Sequence, residues 1–328
     1  MATITSQPQQ TRAAGPPSRR PTSRGARIRR QFHRNWLLYV MLIPGIVHLA
    51  IFKIGPIGAL VIAFQDYSTF LGITGSEWVG LDNFARFLSD PLLFRLLRNT
   101  VVLAIASLAV GFPVPILFAL FLNEVRNQVM RRSIQTASFL PYFISTAVIV
   151  SIMFTMLNPR TGLVNTIIEA LGGDAIFFFA ESEWFRPLYV FMNTWQGFGY
   201  STVIYLAAMA AIDPTLYEAA HIDGANRWRR MWHVTLPSIA PMIIVMLILN
   251  IGQILAVDMD RILLMYRPAT YETADVIQTY VYRLAFSPEG FPNYSYGAAV
   301  GLVQGVLALV LIVLANRAAK KFSDSRVF

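Results

Sequence analysis

Asn193, Gln196 and Tyr200 stand at i, i+3 and i+7 inside an apolar run, with Trp195 and Phe198 beside them. On a helix this spacing puts the three polar groups on one face. Amides donate and accept hydrogen bonds, and aromatic faces pack against C–H-rich surfaces, so the set suits a sugar. Asn250 and Gln253 lie three apart in a later apolar run, and Gln304 lies in the last one. Polar side chains in such runs are costly and point to function by default; the competing use is hydrogen bonding between helices. Together these residues form the candidate substrate pathway.

Bond-making chemistry has few candidates. The chain has no Cys, and its four His (His33, His48, His221 and His233) show no recurring ligand spacing. There is no cluster of His, Asp and Glu at catalytic spacing and no phosphate-cradling GxxxxGK[ST] loop. No catalytic, cofactor-binding or metal site is therefore expected, and a membrane-embedded enzyme is disfavoured.

The elements that must position the polar groups are membrane spans. Of the 328 residues 55% are apolar and only 14% charged, a balance that points to an all-α polytopic membrane protein. Six apolar runs approach or exceed the roughly 20 residues that a span needs. They are residues 36–64, 99–122, 139–157, 188–212, 236–257 and 297–315. Pro44, Pro56, Pro113 and Pro115 read as kinks and not breaks, because neighbouring helices can satisfy the freed backbone groups. Lys53 is expected near a span end or snorkelling.

Three segments are expected: a disordered basic tail (1–34), a transmembrane domain (35–318) and a C-terminal tail (319–328). The net charge of +9 is not read as a nucleic-acid surface, because 8 of the 27 basic residues lie in the first 34 positions. With the N-terminus inside, the inner segments hold 18 Lys and Arg and the outer ones 8. The positive-inside rule then puts both termini, and residues 213–237, in the cytoplasm.

That inner stretch is too elaborate for a turn. Asp213 can cap the helix that Pro214 opens, and Gly224 supplies the positive φ needed to leave it. Leu216, Ala219, Ala220 and Ile222 give the first helix a small-residue apolar face. A second helix over 225–235 carries Arg227, Arg229 and Arg230 with Trp228 and Trp232, and Pro237 marks the entry to the next span. The expected product is a helix-turn-helix lying across the membrane surface. An interfacial pair resting on lipid is the simpler use, but it leaves the acidic first helix unexplained.

Glu218-Ala219-Ala220, then Gly224, then Val234-Thr235-Leu236-Pro237 resembles the EAA–G–(I/V)xLP motif of ATP-binding-cassette importer permeases. Further runs, among them Trp78-Val79-Gly80-Leu81-Asp82-Asn83-Phe84, Leu140-Pro141-Tyr142-Phe143 and Thr279-Tyr280-Val281-Tyr282-Arg283, are similar to its LplB-like group, which imports oligosaccharides and polysaccharide fragments. The resemblance covers about residues 36–316 and implies a MetI-like fold, a five-helix core with an added N-terminal span. It implies that Glu218, Ala219, Ala220, Asp223, Gly224, Leu236 and Pro237 couple to an ABC ATPase dimer, which would bind the ATP and magnesium. It also implies a second, different permease subunit, an extracytoplasmic solute-binding protein, a saccharide substrate, membrane lipid around the spans, and a bacterial inner membrane. Cargo of a simpler kind, a disaccharide or glycerol phosphate, stays open. An ion-coupled secondary transporter would need inverted repeats, which the two halves do not show. Residues 256–261 depart from the Gly-Phe-Glu-like run expected there.

Overall fold

The computed structural model describes residues 34–253, 257–286 and 292–322. The expected basic tail, apart from Arg34, and the last six residues of the C-terminal tail lie outside them. Among the described residues nearly all regular structure is helical, with one two-stranded exception: Gln65–Asp66 pairs antiparallel with Glu77–Trp78. Four helical runs are long and apolar enough to cross a membrane: Trp36–Phe64, Leu93–Asn123, Arg227–Gly252 and Tyr294–Leu314. Two sharply bent pairs, Gln128–Phe143 with Thr146–Met156 and Ser182–Ala210 with Pro214–Ile222, raise the number to six if each is one span.

Contacts divide the chain into residues 1–59 and 60–328. In the first unit, the run from Trp36 onward exposes apolar side chains all round, as a lipid-facing helix does. Pro44 and Pro56 do not break it, since a π-turn over Ala50–Ile54 precedes Pro56. The same device recurs in the second unit. A π-turn over Met231–Thr235 precedes Pro237, and the helix runs on without interruption from Arg227 to Gly252. The wider turn absorbs the carbonyl that a proline ring would otherwise strike. The Arg-Trp segment is therefore the opening of the long helix that runs on to Gly252 and not, as expected, a separate helix lying across the surface.

Another expectation fails at residues 139–157, which do not form one straight span. Gln128–Phe139 and the short Leu140–Phe143 turn are bent by 102° from Thr146–Met156. Pro141 cannot donate to the helix that reaches it, and Ile144 and Ser145 are extended, with the Ser145 hydroxyl accepting from the Val148 N–H at 3.4 Å.

Ser182–Ala210 is the centre of the second unit. It packs on Leu93–Gly111, Pro113–Asn123, Gln128–Phe139 and Leu236–Gly252. Phe185, Leu188, Tyr189 and Met192 feed one apolar cluster, and Tyr205, Leu206 and Met209 feed another with Ile116, Leu120 and Ile239. Gly199 permits the closest approach: a Cβ there would stand 2.0 Å from the Ser138 carbonyl oxygen. Gly199→Ala is expected to destabilise the subunit by about 1–3 kcal/mol through overpacking, read as a fall in unfolding temperature in detergent. Gly197→Ala, whose added Cβ would meet nothing within 4 Å, serves as the control.

A third cluster joins Phe87, Leu96, Ile277, Tyr296 and Val300. At its edge Asp90 accepts from the Leu92 N–H at 2.8 Å and from the hydroxyls of Tyr280 at 2.7 Å and Tyr296 at 2.8 Å. Burial works to raise its pKa, but these hydrogen bonds and nearby Arg86 hold the carboxyl below its ordinary value. The anion is thus a fixed acceptor that pins two tyrosines.

Candidate functional site

Ser182–Ala210 supplies one wall of a cavity of about 350 Å³ with Asn193, Thr194, Gly197, Phe198 and Ser201. Ala104, Ser107, Leu108 and Gly111 face it from Leu93–Gly111, and Asn250, Gln253, Val257 and Asp258 close it. Gly197 lines the cavity, whereas Gly199 packs against Ser138. Of the candidate pathway residues, the structure brings Asn193, Asn250 and Gln253 together here.

Two wall hydroxyls, Ser107 Oγ and Thr194 Oγ1, are buried without a hydrogen-bond partner. Buried polar atoms are nearly always partnered, so a cavity that leaves two unmet is suited to a polar guest. Neither stands out by residue type or spacing. A serine or threonine in an apolar helix ordinarily bonds its own preceding turn, as Thr202 does to the Phe198 carbonyl at 2.7 Å.

Gln196, Tyr200 and Trp195 do not line this cavity. Gln196 donates to the Ile144 carbonyl at 2.8 Å, at the break in the bent pair, and its Oε1 accepts from Arg261 Nη2. Asn193 Oδ1 accepts from Arg261 Nη1 at 3.3 Å, so one arginine unites the two amides. Tyr200 stacks on Tyr142 with ring centroids 4.2 Å apart and planes 7° from parallel, and both rings remain substantially exposed. Trp195 is exposed on the other side of the turn, and Gln304 is half-buried on the last span, outside the cavity wall. Arg261 itself escaped notice, having been counted as a loop cation; its side chain is only 3% exposed.

Residues 213–224 form the capped helix that the sequence implies. Asp213 Oδ1 accepts from the Thr215 N–H at 2.9 Å, and the helix spans Pro214–Ile222 with Asp223 as C-cap. Gly224 has φ +75°; its N–H donates to the His221 carbonyl at 3.1 Å and that of Ala225 to the Ala220 carbonyl at 2.9 Å. These two bonds make a Schellman turn. No residue of this helix is buried: Glu218 and Ala219 are exposed, and Ile222 is 86% exposed. A side bond from Tyr217 to Thr235, 2.9 Å between hydroxyl oxygens, ties it to the π-turn before Leu236 and Pro237. Among the tyrosines at positions 266–282, Tyr266 stacks on Tyr271 and Tyr280 is committed to Asp90, while Tyr282 is exposed.

A bundle of apolar helices with a polar cavity and an unburied capped helix at one end defines a transport subunit, and sequence comparison agrees. Residues 111–327 match the family model described as binding-protein-dependent transport system inner membrane component, and the chain belongs to that family, the permeases of ABC importers. It is 46% identical over 291 residues to the polygalacturonan/rhamnogalacturonan transport system permease protein YteP of Bacillus subtilis (strain 168), covering 89% of this chain and 90% of that one. It is 45% identical over 295 residues to protein LplB of the same organism, covering 90% and 92%. Among solved structures it is similar to a chain of a bacterial alginate ABC transporter in complex with an alginate pentasaccharide-bound periplasmic protein. That likeness has TM-score 0.83 and 39% identity, covering 92% of this chain and 100% of that one. The protein is thus an inner-membrane permease and not an enzyme.

Proposed function

We propose that this permease passes oligosaccharides or polysaccharide fragments, delivered by an extracytoplasmic binding protein, through the cavity beside Asn193, Asn250 and Gln253. The carrying observation is the cavity's chemistry: amides and two unpartnered hydroxyls amid apolar helices, which match a solute rich in hydroxyls, each both a donor and an acceptor. The exposed Tyr142–Tyr200 stack adds an aromatic surface where the Leu140–Phe143 turn meets the same long helix. YteP is named for polygalacturonan and rhamnogalacturonan, and the solved importer for alginate, which supports a glycan cargo.

The Pro214–Ile222 helix, with Glu218, Ala219, Ala220, Asp223 and Gly224, is the element that docks in an ATPase subunit, and Leu236 and Pro237 join it to the span. Both termini then lie in the cytoplasm. ATP and magnesium are held by the ATPase pair, and a second permease completes the pathway. The test is uptake into proteoliposomes holding the full importer with its binding protein. The panel is trigalacturonate, trimannuronate, maltotriose, xylotriose and glycerol 3-phosphate. ATP-dependent uptake of at least one trisaccharide is expected. Uptake of glycerol 3-phosphate alone, or of none, would overturn the glycan assignment.

A further inference from the structure

Arg261 lies in the first turn of a short helix, Met259–Met265, whose N-cap Asp258 accepts from the Arg261 N–H at 3.1 Å. Its guanidinium is turned inward onto Ser182–Ala210. Nη1 donates to Asn193 Oδ1, Nη2 donates to Gln196 Oε1, and Nη2 lies 3.2 Å from Asp258 Oδ2.

A guanidinium only donates. An amide beside it must turn its oxygen towards the cation, which leaves its NH₂ for the opposite side. For Gln196 the NH₂ is taken up by the Ile144 carbonyl. Asn193, in contrast, borders the cavity, so its two N–H groups are what it can offer there. Asn250 is oriented the other way, because its Nδ2 donates to the Met246 carbonyl at 2.8 Å and its oxygen is left over. Tyr189 accepts from the Asp258 N–H at 2.9 Å, so its own proton is free to donate. Asp258 also borders the cavity, and Arg261 balances its charge from behind. The wall therefore has an order: donors at Asn193 and Tyr189, an acceptor at Asn250. A sugar hydroxyl, which accepts and donates at once, fits between them.

We propose that Arg261 is a positioning residue that locks the Asn193 amide with its donors towards the cavity, and so makes the cavity selective for a hydroxyl at one position of the sugar. This rests on the cavity being the sugar path. The readout is discrimination: the uptake ratio between the best-transported panel trisaccharide and its monodeoxy analogues, the hydroxyls removed one at a time. With the native chain one deoxy position is expected to cost about 10-fold or more, the usual penalty for leaving a buried polar group unpaired.

The double variant Asp258→Asn/Arg261→Met removes both charges together and frees the Asn193 amide to rotate. It is expected to reduce that ratio to within about 2-fold of unity, and Arg261→Lys, which keeps a donor-only cation, to restore part of it. Asn193→Asp keeps the Arg261 contact but presents an acceptor where the donors stood, and is expected to abolish the same discrimination. Adding it to the double variant should then change the ratio no further, since the residues act as one unit. If the Arg261 variants do not assemble, Asn193→Asp decides: an unchanged ratio overturns the proposal. Native-like discrimination in the double variant overturns it as well. Should Asn193→Ala and Asn250→Ala leave every deoxy ratio as it was, the cavity reading itself fails; should they alter it while the Arg261 variants do not, only the positioning role falls.

Discussion

Glu218→Arg is expected to cut ATP-driven sugar uptake about 100-fold or more while leaving membrane insertion and unfolding temperature nearly unchanged. The physical case rests on where the residue lies. Glu218 sits on a helix with no buried residue, capped at Asp213 and closed by a Schellman turn at Gly224. A surface substitution of this kind ordinarily moves stability by no more than about 0.5 kcal/mol. Reversing a charge inside a docked interface costs far more, about 2–5 kcal/mol, because the partner group is left facing a like charge in a desolvated setting. Gly224→Trp attacks the same element through the backbone. At φ +75° a side chain costs about 1–2 kcal/mol, and relieving that strain would swing the helix off its axis. For both variants the measurement is uptake and sugar-stimulated ATP hydrolysis in proteoliposomes, with circular dichroism melting as the folding control. Normal uptake with Glu218→Arg would remove this helix from the coupling path.

What the sequence could and could not foretell divides by the range of the interaction. The Asp213 cap and the Gly224 turn are decided within a few residues, and both were legible. Asn193, Asn250 and Gln253 were legible because a polar amide in an apolar run has few uses, and the structure brings them to one cavity. The continuation of Arg227–Gly252 through Pro237 was not, since proline says that a helix bond is lost without saying whether a π-turn upstream absorbs it. Nor was the 102° break after Phe143, because Ile144 and Ser145 are ordinary residues whose extended backbone is settled by the Pro141 turn and the packing around it. Arg261 shows the sharpest limit. By composition it is one more cation outside the spans; its burial depends on Asn193 and Gln196, 65 or more residues away along the chain.

Asp275→Asn is expected to be the most destabilising single-atom-scale change in the chain, lowering stability by about 3–5 kcal/mol. Asp275 has no exposed side-chain surface, and Arg283 grips it at both oxygens, at 2.8 and 2.6 Å, with Arg95 3.7 Å away. The Thr279 hydroxyl donates to Oδ1 at 2.8 Å. The Asp275 backbone carbonyl accepts from Asn99 Nδ2 at 2.9 Å, and Asn99 Oδ1 accepts in turn from Arg186 Nη2 at 2.8 Å. Two helices therefore meet at one carboxylate, Leu93–Gly111 through Arg95 and Ile277–Phe286 through Arg283 and Thr279, and Ser182–Ala210 joins the same network through Arg186 and Asn99. The amide keeps the shape and removes the charge, leaving two guanidinium groups close to a neutral site. In a protein of this size each kcal/mol corresponds to about 2–4 °C, so a fall of about 6–20 °C in unfolding temperature in detergent is the expected reading. Arg283→Gln should produce much of the same loss, and the double variant Asp275→Asn/Arg283→Gln should be less unstable than the two losses added together, because the second change removes a cation already stripped of its partner. Full additivity of the two, or a shift below about 2 °C for Asp275→Asn, would show that the carboxylate is not what holds these three helices together.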